Sequence, residues 1–183
     1  MANLGHDSLR RENYAEAVDY HSKALALLDA IRKTDAKVNQ KAACEIKLSL
    51  GQAYRHLGQI QETASTYENV LEIASAAMLG PDVTRRALGN LALVKIDLGE
   101  YDQAEAELKR LAHDYERNGD YRLSAHAAFN VAYSKYRRGD FAEAIREGER
   151  SATLLKQIDD PSLAQIEEQL QEWNASLKAA TDI

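Results

Sequence analysis

Residues 90–104 read NLALVKIDLGEYDQA and contain a pattern that recurs along the chain. The opening Asn-Leu-Ala is one of four related tripeptides, and the other three begin at Asn3, Ser49 and Asn130. The third residues of these tripeptides are 46, 41 and 40 positions apart. Twelve residues after each third residue comes a small side chain, which is Ala104 in this copy. Self-similarity at a period of this length indicates an array of structural repeats.

The apolar residues follow a helical spacing throughout, and strand-like alternation is absent. Glycine at 58, 99 and 139 is typical of left-handed helix ends, and proline at 81 and 161 is typical of a first helical turn. The sequence therefore predicts an all-α protein. The predicted helices cover residues 2–11, 14–32, 37–57, 60–78, 81–98, 101–117, 120–138, 141–158 and 161–179.

Composition and charge exclude several classes of function. The net charge of −6 disfavours nucleic acid as a partner, because phosphate binding needs a basic surface. No apolar run is long enough to cross a membrane, and the N-terminal segment lacks the apolar stretch of a signal peptide. The single cysteine, Cys44, is expected to be a small buried hydrophobe in a reducing compartment. We therefore expect a cytoplasmic protein without membrane or nucleic-acid partners.

The repeated residues resemble those of the tetratricopeptide repeat. The second copy carries Leu50-Gly51, Tyr54, Gly58 and Tyr67 at the positions of that signature, and Thr63 replaces its packing alanine. A period of 40 to 46 residues exceeds the standard period of about 34. The chain is similar in this respect to the extended repeats of kinesin light chains and of Rap-type peptide receptors. The resemblance implies an α–α superhelical solenoid of four helix hairpins and a C-terminal capping helix.

We expect residues 1–183 to form a single domain. Its repeats cover about 1–33, 37–78, 81–117 and 120–158, and the capping helix covers 161–179. The capping helix carries an apolar stripe of Leu163, Ile166, Leu170, Trp173 and Leu177. The small residues Gly5, Gly51, Ala92 and Ala132 are expected to approach Ala17, Thr63, Ala104 and Ala144 of the partner helix. The first repeat lacks its opening residues, which favours a shortened or fragmentary start over an end that packs on a partner.

The resemblance also implies that the first helix of each hairpin lines a concave groove. The predicted peptide-binding residues are Asn3, His6, Ser49, Gln52, Arg55, Arg86, Asn90, His126, Asn130, Tyr133 and Arg137. Asparagine precedes the Leu-Gly-like pair in three of four copies, and an amide can pair with the C=O and N–H groups of an extended backbone. The alternative is that these asparagines cap or bridge neighbouring helices.

Two further features of the predicted groove have alternative explanations. Groove arginines, such as Arg86 and Arg137, indicate an acidic ligand, although single arginines also occur on solvated helix faces. Phe129, Tyr133 and Tyr136 form an aromatic stripe, which either packs in the core or lines a pocket for one ligand side chain.

No catalytic constellation, metal-ligand spacing or cofactor motif is present in the sequence. We therefore predict a non-catalytic module, monomeric or weakly dimeric, that binds a protein or peptide ligand as an adaptor or scaffold. Two alternatives remain open at this point: a structural module for self-assembly, and the sensor part of a peptide-responsive regulator.

Overall fold

A computed structural model describes residues 1–30 and 36–181 of the chain. These residues form nine α-helices and no β-strand, so the predicted all-α class is confirmed. The helices are α1 (Ala2–Arg10), α2 (Tyr14–Ala30), α3 (Ala36–His56), α4 (Ile60–Ala76), α5 (Pro81–Asp97), α6 (Tyr101–Arg117), α7 (Tyr121–Arg138), α8 (Phe141–Gln157) and α9 (Leu163–Thr181). The predicted end of the second helix, at residues 31 and 32, lies outside the described residues, as does the end of the first predicted repeat.

The helix boundaries have local causes that the sequence contains. Gly58 and Gly139 follow α3 and α7 with φ angles of 73° and 96°, a conformation that glycine adopts without strain. Pro81 begins α5, where its missing N–H has no partner to lose. The last helix starts two residues later than predicted. Asp160 Oδ1 accepts the backbone N–H of Ser162 at 2.9 Å, which holds that segment in a turn before α9 begins.

The chain divides into two compact units, Met1–Val94 and Lys95–Ile183, and each has its own core. In the first unit, α2 packs on α1 and α3, and α3 packs on α4. The core of this unit includes Cys44 and Leu48 of α3, Tyr67 and Val70 of α4, and Val83 of α5. Burial raises the pKa of the Cys44 thiol, in agreement with its predicted role as a small hydrophobe.

Two glycines of the first unit allow close approach of an aromatic ring. A Cβ atom on Gly5 would lie 2.6 Å from Cε1 of His21, and one on Gly51 would lie 2.5 Å from Cε1 of Tyr67. The atoms nearest to these two Cβ positions belong to the rings and not to Ala17 and Thr63, the predicted partners one turn earlier, which are themselves 0% exposed. Glycine is required at these positions because only a residue without a side chain leaves room for a buried ring.

In the second unit, α6, α7, α8 and α9 pack in chain order. The predicted apolar stripe of α9 is buried as expected, with Ile166 4%, Leu170 7% and Trp173 1% exposed. A Cβ atom on Gly148 of α8 would lie 2.5 Å from Cδ2 of Leu170. Position 148 therefore has little room for a side chain, because Leu170 of α9 occupies that space.

Candidate functional site

The first unit gathers several predicted groove residues around one recess. Asn3, His6 and Arg10 of α1 and Gln52 of α3 line an open cavity of about 750 Å³. The side chains of these four residues are exposed. Arg10 also contacts the carboxylate of Asp7, which lies one turn earlier on the same helix. The recess is therefore polar, with amide, imidazole and guanidinium groups available to a ligand.

Ser49 does not present a free hydroxyl to this recess. Ser49 is 9% exposed, and its Oγ donates to the backbone carbonyl of Glu45 at 3.3 Å. The same Oγ lies 3.3 Å from Nδ1 of His6. The prediction that Ser49 is a ligand contact is therefore corrected, because its hydroxyl is used to position the His6 ring.

Asn90 and Asn130 occupy equivalent positions on α5 and α7, each within its own unit. Both are half-buried, and neither amide side chain forms a hydrogen bond with another residue in the described part of the chain. An asparagine that capped or bridged helices would show such a bond. The absence of one within residues 1–30 and 36–181 disfavours the capping alternative and leaves both amides available.

The groove arginines are engaged with acidic or aromatic neighbours. Arg86 Nη1 donates to Glu45 Oε2 at 2.7 Å, and Arg137 Nη1 lies 3.4 Å from Asp97 Oδ1. Arg137 also donates to Tyr133 Oη at 2.8 Å, and this bond raises the pKa of the guanidinium. The prediction that these arginines attract an acidic ligand loses most of its support, since a carboxylate already neutralises each charge. Arg55 is half-buried and also has interactions within the protein.

His126 belongs to the junction between α7 and α9. Its Nε2 lies 3.1 Å from Ser162 Oγ, and burial lowers the pKa of the imidazole. A hydrolytic triad has the same residue types as His126, Ser162 and Asp160, but its side chains contact one another in a different order. The Ser162 hydroxyl donates to Asp160, whereas a triad carboxylate would orient the imidazole. His126 is therefore half-buried and bonded to the turn before α9, and its role as a ligand contact stays a prediction.

The aromatic residues of α7 lie in two different environments. Phe129 and Tyr136 both stack on the ring of Trp173. Each ring is nearly parallel to the Trp173 ring, and the centroid distances are 5.2 Å and 4.7 Å. Tyr136 Oη also lies 3.2 Å from Ser176 Oγ of α9. Tyr136 therefore packs against the core, which favours the core alternative for this residue. Tyr133 is half-buried, and Arg137 lies over its ring at 5.7 Å.

His21 is a buried titratable residue that the sequence did not single out. Its side chain is 0% exposed, and neither ring nitrogen has a hydrogen-bond partner in the described part of the chain. Burial, with a smaller effect from His6, lowers the pKa of His21 to about 4. The position could have been found from the repeat, since Tyr67 occupies the equivalent place in the second copy.

The described residues contain neither a candidate membrane span nor a candidate metal site. No helix among them is both long and apolar enough to cross a membrane. No group of three or more histidine, cysteine, aspartate or glutamate side chains in residues 1–30 and 36–181 could hold a metal ion.

A sequence model of the tetratricopeptide repeat matches residues 43–112 and 83–157. The chain belongs to the tetratricopeptide-repeat family. The two matched ranges span the second to fourth hairpins, so the three repeats that contain the tripeptides at Ser49, Asn90 and Asn130 are those of the family. Comparison with curated proteins finds no match.

Solved structures show the same repeat fold at low sequence identity. A Rap protein crystallised with competence and sporulation factor is 17% identical with a TM-score of 0.82, and it matches 97% of this chain. The Rap conjugation gene regulator of plasmid pLS20, solved with the Phr* peptide, is 13% identical with a TM-score of 0.73 over 96% of the chain. The present chain spans about half the length of these two proteins, 48% of the first and 52% of the second.

A third similar structure comes from the second group that the sequence resembled. The kinesin light chain TPR-like repeats of Podosopora anserina are 18% identical with a TM-score of 0.64, and they match 97% of this chain and 90% of theirs. The predicted resemblance to both groups of extended tetratricopeptide repeats is thereby confirmed at the level of the fold.

Proposed function

We propose that this chain is a non-catalytic interaction module that binds an extended peptide or a partner's tail along its first helices. The observation that carries the proposal is the state of Asn90 and Asn130. Both amides are half-exposed at equivalent repeat positions and make no hydrogen bond with another described residue. The similar Rap structures support this class of ligand, since one contains competence and sporulation factor and another the Phr* peptide.

The amide side chain suits a backbone ligand. It offers one acceptor and two donors, which match the N–H and C=O groups of an extended chain. Each amide would exchange hydrogen bonds with water for bonds to the peptide, with a net gain of about 0.5–1.5 kcal/mol. Asn3 and Gln52 of the first unit offer the same chemistry at the recess beside His6. Tyr133 and Arg137 of the second unit would add an aromatic face and a donor.

An acidic ligand is a secondary part of this proposal. Arg86 and Arg137 already contact Glu45 and Asp97, so a ligand carboxylate would have to compete with these partners. We therefore expect binding to depend only weakly on ionic strength, because the exchange of one carboxylate for another changes little net charge.

The experiment uses peptides selected from a displayed random library against the wild-type chain. The change is Asn90→Ala, Asn130→Ala, or both, and affinity is measured by calorimetry. We expect the double variant to bind about ten- to a hundredfold more weakly, at about 1.4 kcal/mol per decade, with unchanged helix content. Asn69→Ala is the matched control, since Asn69 lies on a second helix and its amide donates to Glu72 at 3.0 Å. Equal affinity of the double variant and wild type would contradict the proposal.

Two alternatives are separable from this proposal. A self-assembly module would show an oligomeric state that changes with concentration in sedimentation experiments, whereas we expect a monomer or a weak dimer. The sensor part of a peptide-responsive regulator is the second candidate, and the likeness to Rap structures favours it. It would bind peptides in the same way, so the test above applies to both. We place the protein in the cytoplasm, where the buried Cys44 thiol suits a reducing environment.

A further inference from the structure

We propose that a second recess of the first unit holds an aliphatic side chain of the bound peptide, and that a carboxylate next to it meets Lys41. This Met78 recess is formed by the starts of α3 and α5 and by the turn that joins α4 to α5. The inference rests on the proposed function, because it names the chemistry that the bound peptide must carry.

The floor of the Met78 recess is aliphatic. The cavity has a volume of about 810 Å³ and is lined by Ala42, Leu79 and Val83. Val83 is 4% exposed and belongs to the core, so this wall is rigid. None of the described residues that line the recess is aromatic. An aliphatic side chain would remove apolar surface from water here without needing a ring to stack on.

Met78 is the residue whose presence is hardest to explain without a ligand. It is 82% exposed, the highest value among the exposed large hydrophobic residues of the described chain. Its φ angle of 48° lies in the left-handed region, which is strained for a side chain of this size. Six other described residues have positive φ; four are glycines and two are the carboxylates Glu12 and Asp159. Met78 is thus the one apolar side chain in this set.

The backbone of α4 explains the conformation at residue 78 but not the choice of methionine. Leu79 donates its N–H to Ala74 at 2.9 Å, and its side chain packs against the core. This helix ending places residue 78 in the left-handed region, where glycine would be unstrained. An unusual residue at a strained position motivates a functional hypothesis. A flexible thioether beside an aliphatic cavity can adapt to side chains of different shape.

The charges around the Met78 recess leave one cation unmatched. Arg86 contacts Glu45 at 2.7 Å, and Arg85 contacts Asp82 at 2.5 Å. Lys41 is exposed and forms no ion pair with any other residue in the described ranges. A carboxylate that follows the aliphatic side chain in the peptide would complement this ammonium group.

The probe is an eight-residue peptide with blocked ends, in which leucine followed by glutamate is flanked by glycine and serine. Methyl NMR of Met78, Leu79 and Val83 reports its binding. We expect saturable shifts at these methyl groups. We also expect binding about fivefold weaker, roughly 1 kcal/mol, when glutamine replaces the glutamate or alanine the leucine. Absence of shifts at these methyl groups, or tighter binding of a peptide with tryptophan in place of leucine, overturns the inference.

Met78→Gly separates recognition from folding. Glycine relieves the backbone strain, so the melting temperature should rise, while binding of the leucine–glutamate peptide should weaken about fivefold or more. Asp159→Gly is the matched control, since it relieves the same strain at φ 50° at a residue that belongs to the second unit and does not line the recess, so binding should be unchanged. Lys41→Gln should abolish the preference for the glutamate peptide over its glutamine version. A Met78→Gly variant that binds as tightly as wild type overturns the inference.

Failure of this inference can be told apart from failure of the proposed function. Nitrogen-15 NMR of the side-chain amides is the second readout: shifts confined to Asn3, Gln52 and Asn90 would overturn the Met78 recess while the binding of peptides along the first helices still holds. Shifts at the recess that persist unchanged in Asn90→Ala would support the recess and contradict the role proposed for the Asn90 amide.

Discussion

The contact between Gly51 and Tyr67 supports a quantitative prediction for Gly51→Ala. The added Cβ would lie 2.5, 2.7 and 3.1 Å from three atoms of the ring, whereas carbon atoms pack best at about 3.5–4.0 Å. Tyr67 is 1% exposed, so the ring cannot swing into solvent. Overpacking of this kind costs about 1–3 kcal/mol. The higher helix propensity of alanine offsets about 1 kcal/mol. We therefore expect a net loss of up to about 2 kcal/mol in the free energy of unfolding.

A second substitution tests whether the ring is the cause. The third repeat carries Ala92 and, sixteen residues later, Leu108, where the second repeat carries Gly51 and Tyr67. In a Tyr67→Leu background, Gly51→Ala should therefore cause no loss and should stabilise by up to about 1 kcal/mol through helix propensity. The coupling energy between the two sites should be about 2 kcal/mol, within the range known for residues in contact.

Urea unfolding followed by far-ultraviolet circular dichroism is the assay. Fluorescence of Trp173, the one tryptophan of the chain, reports the unfolding of the second unit. Gly80→Ala is the control, because no atom lies within 4 Å of its Cβ position. The reasoning is refuted if Gly51→Ala is as stable as Gly80→Ala, or if the two substitutions at 51 and 67 are additive.

Three further predictions concern other buried positions. Trp173→Ala should lower the free energy of unfolding by about 3–5 kcal/mol, because it empties the space between Phe129 and Tyr136; an intact thermal transition of the second unit would contradict this. The neutral form of His21 is favoured on folding, since its pKa falls from 6.5 to about 4. The stability that neutral His21 contributes is therefore complete above pH 6.5, and up to about 3 kcal/mol of the free energy of unfolding is lost as the pH falls towards 4. A pKa near 6.5 for this imidazole, measured by NMR, would oppose this. Ala92→Leu should cost about 1–3 kcal/mol by overpacking, because Ala92 is 0% exposed; a melting temperature equal to that of wild type would argue against it.

The helices and their order could be predicted from the sequence because their causes are local. Glycine at 58 and 139 and proline at 81 act on their own backbone, and the period of the tripeptides repeats one hairpin after another. The apolar stripe of α9 was also visible, since helical spacing places it on one face. These features need no knowledge of which helix lies opposite.

The partners of the groove side chains were harder to predict, although the sequence contained a signal for some of them. Arg86 and Glu45 are 41 residues apart, and Arg137 and Asp97 are 40 apart, which are the repeat intervals themselves. Residues one period apart on neighbouring first helices can meet, so opposite charges at these distances could have been recognised as ion pairs.

Other outcomes depended on the tertiary structure alone. The aromatic stripe of α7 is equally compatible with a pocket and with a core, and only the insertion of Trp173 decides that Phe129 and Tyr136 pack against the core. The burial of Ser49 behind His6 likewise depends on the approach of α1 to α3. Sequence periodicity determines which residues share a face of one helix. Which of those faces meets another helix, and which remains open to a ligand, is decided by the sizes of side chains that are distant in the chain.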